Sequence, residues 1–482
     1  MILASGQTLT ALVGLVSAAV LSRLFTQDDY ATYRQTLLAY TFAAPFVVLG
    51  LNQALFYFLP NEKQRTRGVL VENLALLLFG GLVLTLFLLF GGGHLLANRF
   101  NNPALVTTLL LLAPYPLLMI PSGALPACLL ARDRAAQVAK YNVASRLILL
   151  LAVVVPCVIW PHPSTAIIGT VAGTGVTALT AMTLMFRACD TGGWRPTFQG
   201  LWSQIHFSVP LGLATLVGTV SRSLDQVFVA AMCPQAAFAV FVNGAMEIPL
   251  IGIVTSSVTS VLIVDYAKLY KEGNLDEIVR LIHRAMIKCA LILIPVMAFL
   301  LCMAPELMRL LYGAKYEGSA APFRVYLLLL PMRTLTFGAI FMATGNSRRI
   351  LEYSIIPLIV KLAATWYLIQ LLGTIGAPVT TVVAAYCLTI PYILYRLRTI
   401  LAHPVAGLFP WKDLFTVGLA SFLPAIAVLA VKPWLSFSGS VSLAGTLAVY
   451  LPLNVALFGW FGLVNVKRLV ADIYARITKP FA

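Results

Sequence analysis

The sequence predicts an all-α polytopic membrane protein, and three observations carry that prediction. The 482-residue chain is 60% hydrophobic and only 10% charged, too few polar residues to cover a water-soluble core of that size. Apolar windows long enough for a bilayer core of roughly 30 Å recur from end to end. These windows are continuous, whereas the strands of an outer-membrane barrel alternate in polarity over segments of about ten residues.

About fourteen spans follow in order. Spans 1 to 7 are placed at 2–22, 36–59, 69–90, 104–130, 141–160, 164–186 and 205–230. Spans 8 to 14 are placed at 236–264, 284–304, 320–343, 351–371, 376–397, 414–432 and 441–464. Span 1, "MILASGQTLTALVGLVSAAVL", lacks the charged n-region of a signal peptide and is read as a true span. The prolines of "APYPLLMIPSGALP" (113–126) make span 4 irregular. "WPHPS" (160–164) is a very short turn between spans 5 and 6. Between spans 8 and 9, Leu275, Ile278, Val279 and Ile282 recur at helical spacing, which reads as an amphipathic helix on the membrane surface. Pro331 is placed to kink span 10.

Lys and Arg set the orientation. Twenty-two fall on the side that holds both termini and six on the other, so both termini are expected in the cytoplasm. This topology signal, with anionic headgroups, accounts for most of the +16 net charge, and nucleic acid is not needed to explain it. Trp160, Trp194, Trp202, Trp411 and Trp434 lie at span ends, as an aromatic belt would, while Trp366 lies deeper and reads as packing before a sugar platform. The seven cysteines are scattered with no C-x-x-C pair, and the five histidines lie apart, so no metal site is expected. "GGGHLL" (91–96) has no strand before it and no GK[ST] after it, and is no phosphate loop. The longest loops on the side opposite the termini, 91–103 and 305–319, are too small for the catalytic domain of a polymerase or ligase, so no enzyme is expected.

A weak repeat divides the chain. Tyr30-Ala-x-Tyr33 after span 1 matches Phe238-Ala-x-Phe241 after span 7, a shift of six spans that keeps orientation and suggests two parallel lobes. The expected organisation is a six-helix lobe over 1–190, a second over 204–400, two additional spans over 413–465 and a tail over 466–482.

Five basic residues remain inside spans: Arg146, Arg222, Arg324, Arg333 and Lys361. At 1.5 Å per helical residue, Arg222, Arg333, Lys361 and the acidic Glu247 come near the midplane, and Arg146 about 8 Å from its cytoplasmic edge. Arg324 is close enough to the outer edge to snorkel, and Glu352 to reach headgroups. A charge at the bilayer centre costs roughly 3 kcal/mol, so such groups pair or face water. Asp225 stands three residues after Arg222, on the same helix face, as a candidate partner. Near the midplane the basic groups still outnumber Asp225 and Glu247. A surplus of this kind points to a cationic cavity formed by Arg146, Arg222, Arg333 and Lys361, chemistry that suits an anionic ligand such as phosphate. Two parallel lobes around such a site suit a transporter working by alternating access.

Four stretches carry a resemblance: "LSRLFTQDDYATY" (21–33), "SLDQVFVAAMCPQAAFAVF" (223–241), "TSVLIVDYAKLYKEGN" (259–274) and "GTIGAPVTTVVAAY" (373–386). Together they resemble the polysaccharide (O-antigen) flippase family of the multidrug/oligosaccharidyl-lipid/polysaccharide exporter superfamily. Ala31 stands where that family usually has Gly, and Gln226 where a basic residue is common. The resemblance implies two lobes in a V-shape and a multi-pass protein of the bacterial inner membrane. It implies a flippase that moves an oligosaccharide linked to undecaprenyl diphosphate to the periplasmic leaflet, with membrane lipids and polysaccharide polymerase machinery as candidate partners. The alternative is an ion-coupled multidrug exporter of the same superfamily. Asp225 and Glu247 are then the candidates for H⁺ or Na⁺ coupling, and no other cofactor is expected.

Overall fold

A computed structural model describes residues 2–335, 337–345, 348–431 and 440–463. The expected tail over 466–482, Lys432 and Trp434 lie outside them. Among the described residues all regular structure is helical. Seven helices are long and apolar enough to cross a membrane, or up to eleven when each bent pair is taken as one span. The remaining spans of the sequence reading fall on Ile2–Leu24, on Gln235–Gly244 with Pro249–Lys271, and on a division of 354–401 at the turn Gly373–Ile375.

The bends have local causes. Span 2 breaks by 41° between Gln27–Val48 and Leu51–Asn61. Leu49 and Gly50 there both adopt positive φ, 37° and 75°. Span 7 bends by 45° between Phe198–Leu213 and Thr215–Met232. The two breaks meet: a Cβ on Gly50 would lie 2.9 Å from the Gly212 nitrogen, and one on Gly212 would overlap the Leu49 carbonyl. Backbone meets backbone here, and only glycine leaves the room. Span 4 is broken by 49° in its proline-rich stretch and span 10 by 45° around Pro331, both as its prolines lead one to expect.

Proline also removes an amide donor, which orphans the carbonyl four residues earlier. Pro424 orphans Ala420, whose oxygen accepts from the buried Asn454 Nδ2 at 3.1 Å. Pro305 orphans Leu301, whose oxygen accepts from Arg324 Nε at 2.9 Å. Arg324, which is exposed, is thus also a backbone partner.

The chain forms two compact units, Met1–Val242 with Leu362–Ala377, and Asn243–Lys361 with Pro378–Ala482. The core of the first is built from Leu55, Leu59, Leu70, Leu77, Leu125 and Cys128 with their neighbours. Span 7, which the sequence places at the head of a second lobe, packs within this unit against spans 2 and 3. Polar groups hold it there. Gln204 donates to the Val69 carbonyl at 3.0 Å and accepts from Asn73 at 2.9 Å. Glu72, only 1% exposed, accepts from Arg65 and from the amide and hydroxyl of Thr197. Trp194 lies between Phe186 and the Arg67 guanidinium, 5.0 and 4.8 Å away.

In the second unit the segment after span 8 differs from a surface helix. It is the start of one 38-residue helix, Leu275–Tyr312. Ile278, Val279 and Ile282 are buried against Leu397, Leu401 and Leu408. Its apolar face is covered by protein, so it is not available to lipid. His403 to Asp276 at 2.8 Å and His283 to the Gly407 carbonyl at 2.9 Å fasten the same face.

Gly212→Ala is expected to lower stability by about 1–3 kcal/mol, the range for overpacking. Gly218→Ala, with nothing within 4 Å of its added Cβ, is expected to be neutral or mildly stabilising. Thermal unfolding of the two purified variants side by side checks this. Asn454→Leu, which leaves the Ala420 carbonyl without its donor, is expected to cost about 1–3 kcal/mol in the same assay.

Candidate functional site

Arg222 lies on Phe198–Met232, ten residues before its end. That is about 15 Å along the helix, half a hydrocarbon core of roughly 30 Å. Its side chain is exposed and bonds weakly to Thr219 Oγ1 at 3.5 Å. Among the described residues it makes no ion pair. Asp225 is 4% exposed, so the pair that their spacing allows does not form: one group turns outward and the other inward. Thr215 and Thr219 precede Arg222 at spacings of four and three, which gives the upper half of span 7 a polar stripe.

Arg146 also belongs to the first unit. It is exposed on Ala135–Ile159, within electrostatic reach of Tyr115 and Tyr141.

In the second unit, Arg333 closes the short helix Leu330–Arg333 that follows the break of span 10. Its Nη2 stands 3.3 Å from Glu247 Oε1, with the two side chains 50% and 78% exposed. An ion pair this open is worth at most about 1 kcal/mol and is readily exchanged. Lys361 is buried, 4% exposed, within Arg348–Leu372. Glu352, expected near the headgroups, is engaged by neighbouring side chains. It accepts from Tyr392 and from Arg349 at 2.8 Å, with Arg396 at 3.6 Å, and so ties Arg348–Leu372 to Ile390–Leu401. The six site residues read from the sequence thus fall into distinct environments: Arg146 and Arg222 exposed, Arg333 and Glu247 joined, Asp225 and Lys361 buried.

Two features escaped the sequence reading. Glu72 is a further acid within a span, and its position seven residues after Arg65 was a readable signal. The second is an open cleft of about 470 Å³ in the first unit, lined by Gln53, Phe56, Tyr57, Phe207 and Leu211. Tyr57 and Phe207 stack there with centroids 4.8 Å apart at 17°, and Phe58 meets Phe207 edge-on at 5.6 Å. No sequence signal joins residues 150 positions apart.

Residues 20–321 match the family model described as polysaccharide biosynthesis protein. The chain belongs to this family. Three of the four stretches that carry the resemblance lie wholly inside the matched region. No curated protein sequence matches the chain. Solved structures match its fold. The lipid II flippase MurJ, in an inward closed conformation, aligns with a TM-score of 0.75 at 14% identity, covering 95% of this chain and 98% of that one. An inward-facing multidrug resistance transporter of the MATE family, in the MOP superfamily, aligns at 0.67 and 17%, covering 82% and 95%. A MOP superfamily transporter from Pyrococcus furiosus, described as having a binding pocket of reversed polarity, aligns at 0.58 and 17%, covering 84% and 96%. At such identities the likeness is one of fold. This member of the polysaccharide biosynthesis protein family is a multi-pass helical membrane protein with the fold of MurJ and MATE transporters.

In a background lacking the seven native cysteines, Arg222→Cys and Arg333→Cys are expected to react with a charged, membrane-impermeant methanethiosulfonate reagent, and Lys361→Cys far more slowly. Labelling followed by mass spectrometry reads the difference. A lipid-facing position 222 would stay unlabelled.

Proposed function

We propose that this protein flips a polyprenyl-diphosphate-linked oligosaccharide from the cytoplasmic to the periplasmic leaflet of a bacterial inner membrane, by alternating access. The observation that carries this reading is Arg222: a guanidinium at about half the membrane's depth, exposed, and without an ion pair among the described residues. Facing hydrocarbon, such a group is costly. Facing water, it is a fork-shaped donor suited to phosphate oxygens. Membership of the polysaccharide biosynthesis protein family supports a glycan-bearing substrate, and the fold shared with MurJ supports movement of a lipid-linked one. Arg146, Arg333 and Lys361 are the further cationic candidates, with membrane lipids and polysaccharide polymerase machinery as candidate partners.

Glu247 gives a route to ion coupling. It holds Arg333 in an exposed pair, so a proton or Na⁺ captured by Glu247 releases Arg333 to an anionic ligand. Asp225 is the second carboxylate at that depth.

In the native host, Arg222→Ala is expected to abolish or strongly reduce surface polysaccharide while the protein stays in the membrane, and Arg222→Lys to restore part of it. Immunoblotting of membranes and quantification of surface glycan check both. Gene deletion that leaves surface polysaccharide normal but raises drug sensitivity would replace this reading with multidrug export.

A further inference from the structure

The aromatic cleft of the first unit poses a physical problem. It lies inward from the ends of two helices, Leu51–Asn61 and Phe198–Met232, on the side rich in Lys and Arg. By residue count Tyr57 is about 6 Å in from Asn61, Gln53 about 12 Å, and Phe207 about 14 Å in from Phe198. Tyr57 is 52% exposed and Phe207 36%. Exposed rings at this depth suit lipid. Gln53 does not. Its amide is exposed and, like the Tyr57 hydroxyl, makes no hydrogen bond among the described residues. An amide turned to hydrocarbon without a partner costs several kcal/mol. A ligand that satisfies both sets of groups presents an apolar face to the rings and hydroxyls to the amide. A pyranose ring has that construction, with axial C–H bonds on its faces and hydroxyls around its rim.

Span 7 leads from the cleft, across its bend, toward Arg222. Leu211, a cleft residue, is followed by Thr215, Thr219 and Arg222 at spacings of four, four and three. Phe207 and Arg222 are fifteen residues apart, about 22 Å along the helix. A lipid-linked glycan has the same order of groups: sugars at one end, then a diphosphate, then an apolar chain.

We infer that the Gln53–Tyr57–Phe207 cleft is a carbohydrate subsite, which takes a sugar ring of the substrate whose diphosphate Arg222 holds. This rests on the flippase reading above. Tyr57 and Phe207 supply the stacking surface, and Gln53 an amide that both donates to and accepts from ring hydroxyls. Arg222, about 22 Å farther along span 7, is left to the phosphate.

The test compares two probes on the purified full-length protein: undecaprenyl diphosphate, and the same lipid bearing a linear chain of four N-acetylglucosamine residues on the diphosphate, long enough to reach from Arg222 to the cleft. Wild type is expected to bind the glycosylated probe roughly threefold to tenfold more tightly, the scale of one aromatic contact. Phe207→Leu and Tyr57→Leu are each expected to erase most of that difference and leave affinity for the bare lipid unchanged. Phe207→Trp, which keeps a ring in place, is expected to retain it and to show that the position tolerates substitution. No preference in wild type, or a preference unchanged in both Leu variants, overturns the subsite. Equal loss of both probes in the Leu variants also overturns it, because the cleft then holds the isoprenoid chain. A preference lost in the Leu variants, together with wild-type binding of both probes by Arg222→Ala, keeps the subsite and removes the diphosphate assignment.

Discussion

The structure depends on one constraint: inside a membrane a polypeptide must find partners for its own backbone. Water is absent, so each amide and carbonyl left open costs several kcal/mol. The chain nonetheless carries 27 prolines, many of them within helices. Each interior proline removes a donor and orphans a carbonyl, and at two of them a side chain answers. Asn454 caps Ala420, and Arg324 caps Leu301. At one further site the backbone of a neighbouring helix comes close. Pro156 orphans Ala152, whose carbonyl abuts Gly169 so tightly that a Cβ would overlap it. The bends of spans 4 and 10 follow from the same chemistry, while spans 2 and 7 break where Gly50 and Gly212 let their backbones meet.

Seen this way, the charges within the spans separate by the work they do. Arg324 serves the backbone, and Glu352 joins two helices through Tyr392, Arg349 and Arg396. Glu72 fixes the start of span 7 through Arg65 and Thr197. These groups are consumed by structure. Arg222 and Arg146 are exposed and outside any ion pair among the described residues, and Arg333 is held only by the open Glu247. Groups that structure has not consumed are the candidates to meet a substrate. The latch that holds span 7 in the first unit also gives Arg222 a fixed base, since Gln204 and Thr197 hold one end of the helix on whose other half it stands.

Much of this was legible in the residues. The all-helical membrane class, the break at Pro331, the irregular span 4 and the short turn at 160–164 follow from composition and proline, because both act locally. Charges deep in spans could be found by counting. Their roles could not. Arg222 and Asp225 sit at a spacing that permits a pair, yet they face different surroundings, and no periodicity reports which side of span 7 is covered. The segment at 275–282 has the pattern of a membrane-surface helix, because an apolar stripe looks the same whether lipid or Leu397 and Leu401 cover it.

By itself the sequence determined that the chain crosses a membrane many times and which family it belongs to. These properties add up residue by residue or lie in short contiguous stretches. Only the tertiary structure decided that Arg324 serves a carbonyl, that Arg333 meets Glu247, and that Tyr57 stacks on Phe207 150 positions away. Such pairings depend on which helix faces touch, and that is set by packing across the whole fold rather than by any local pattern.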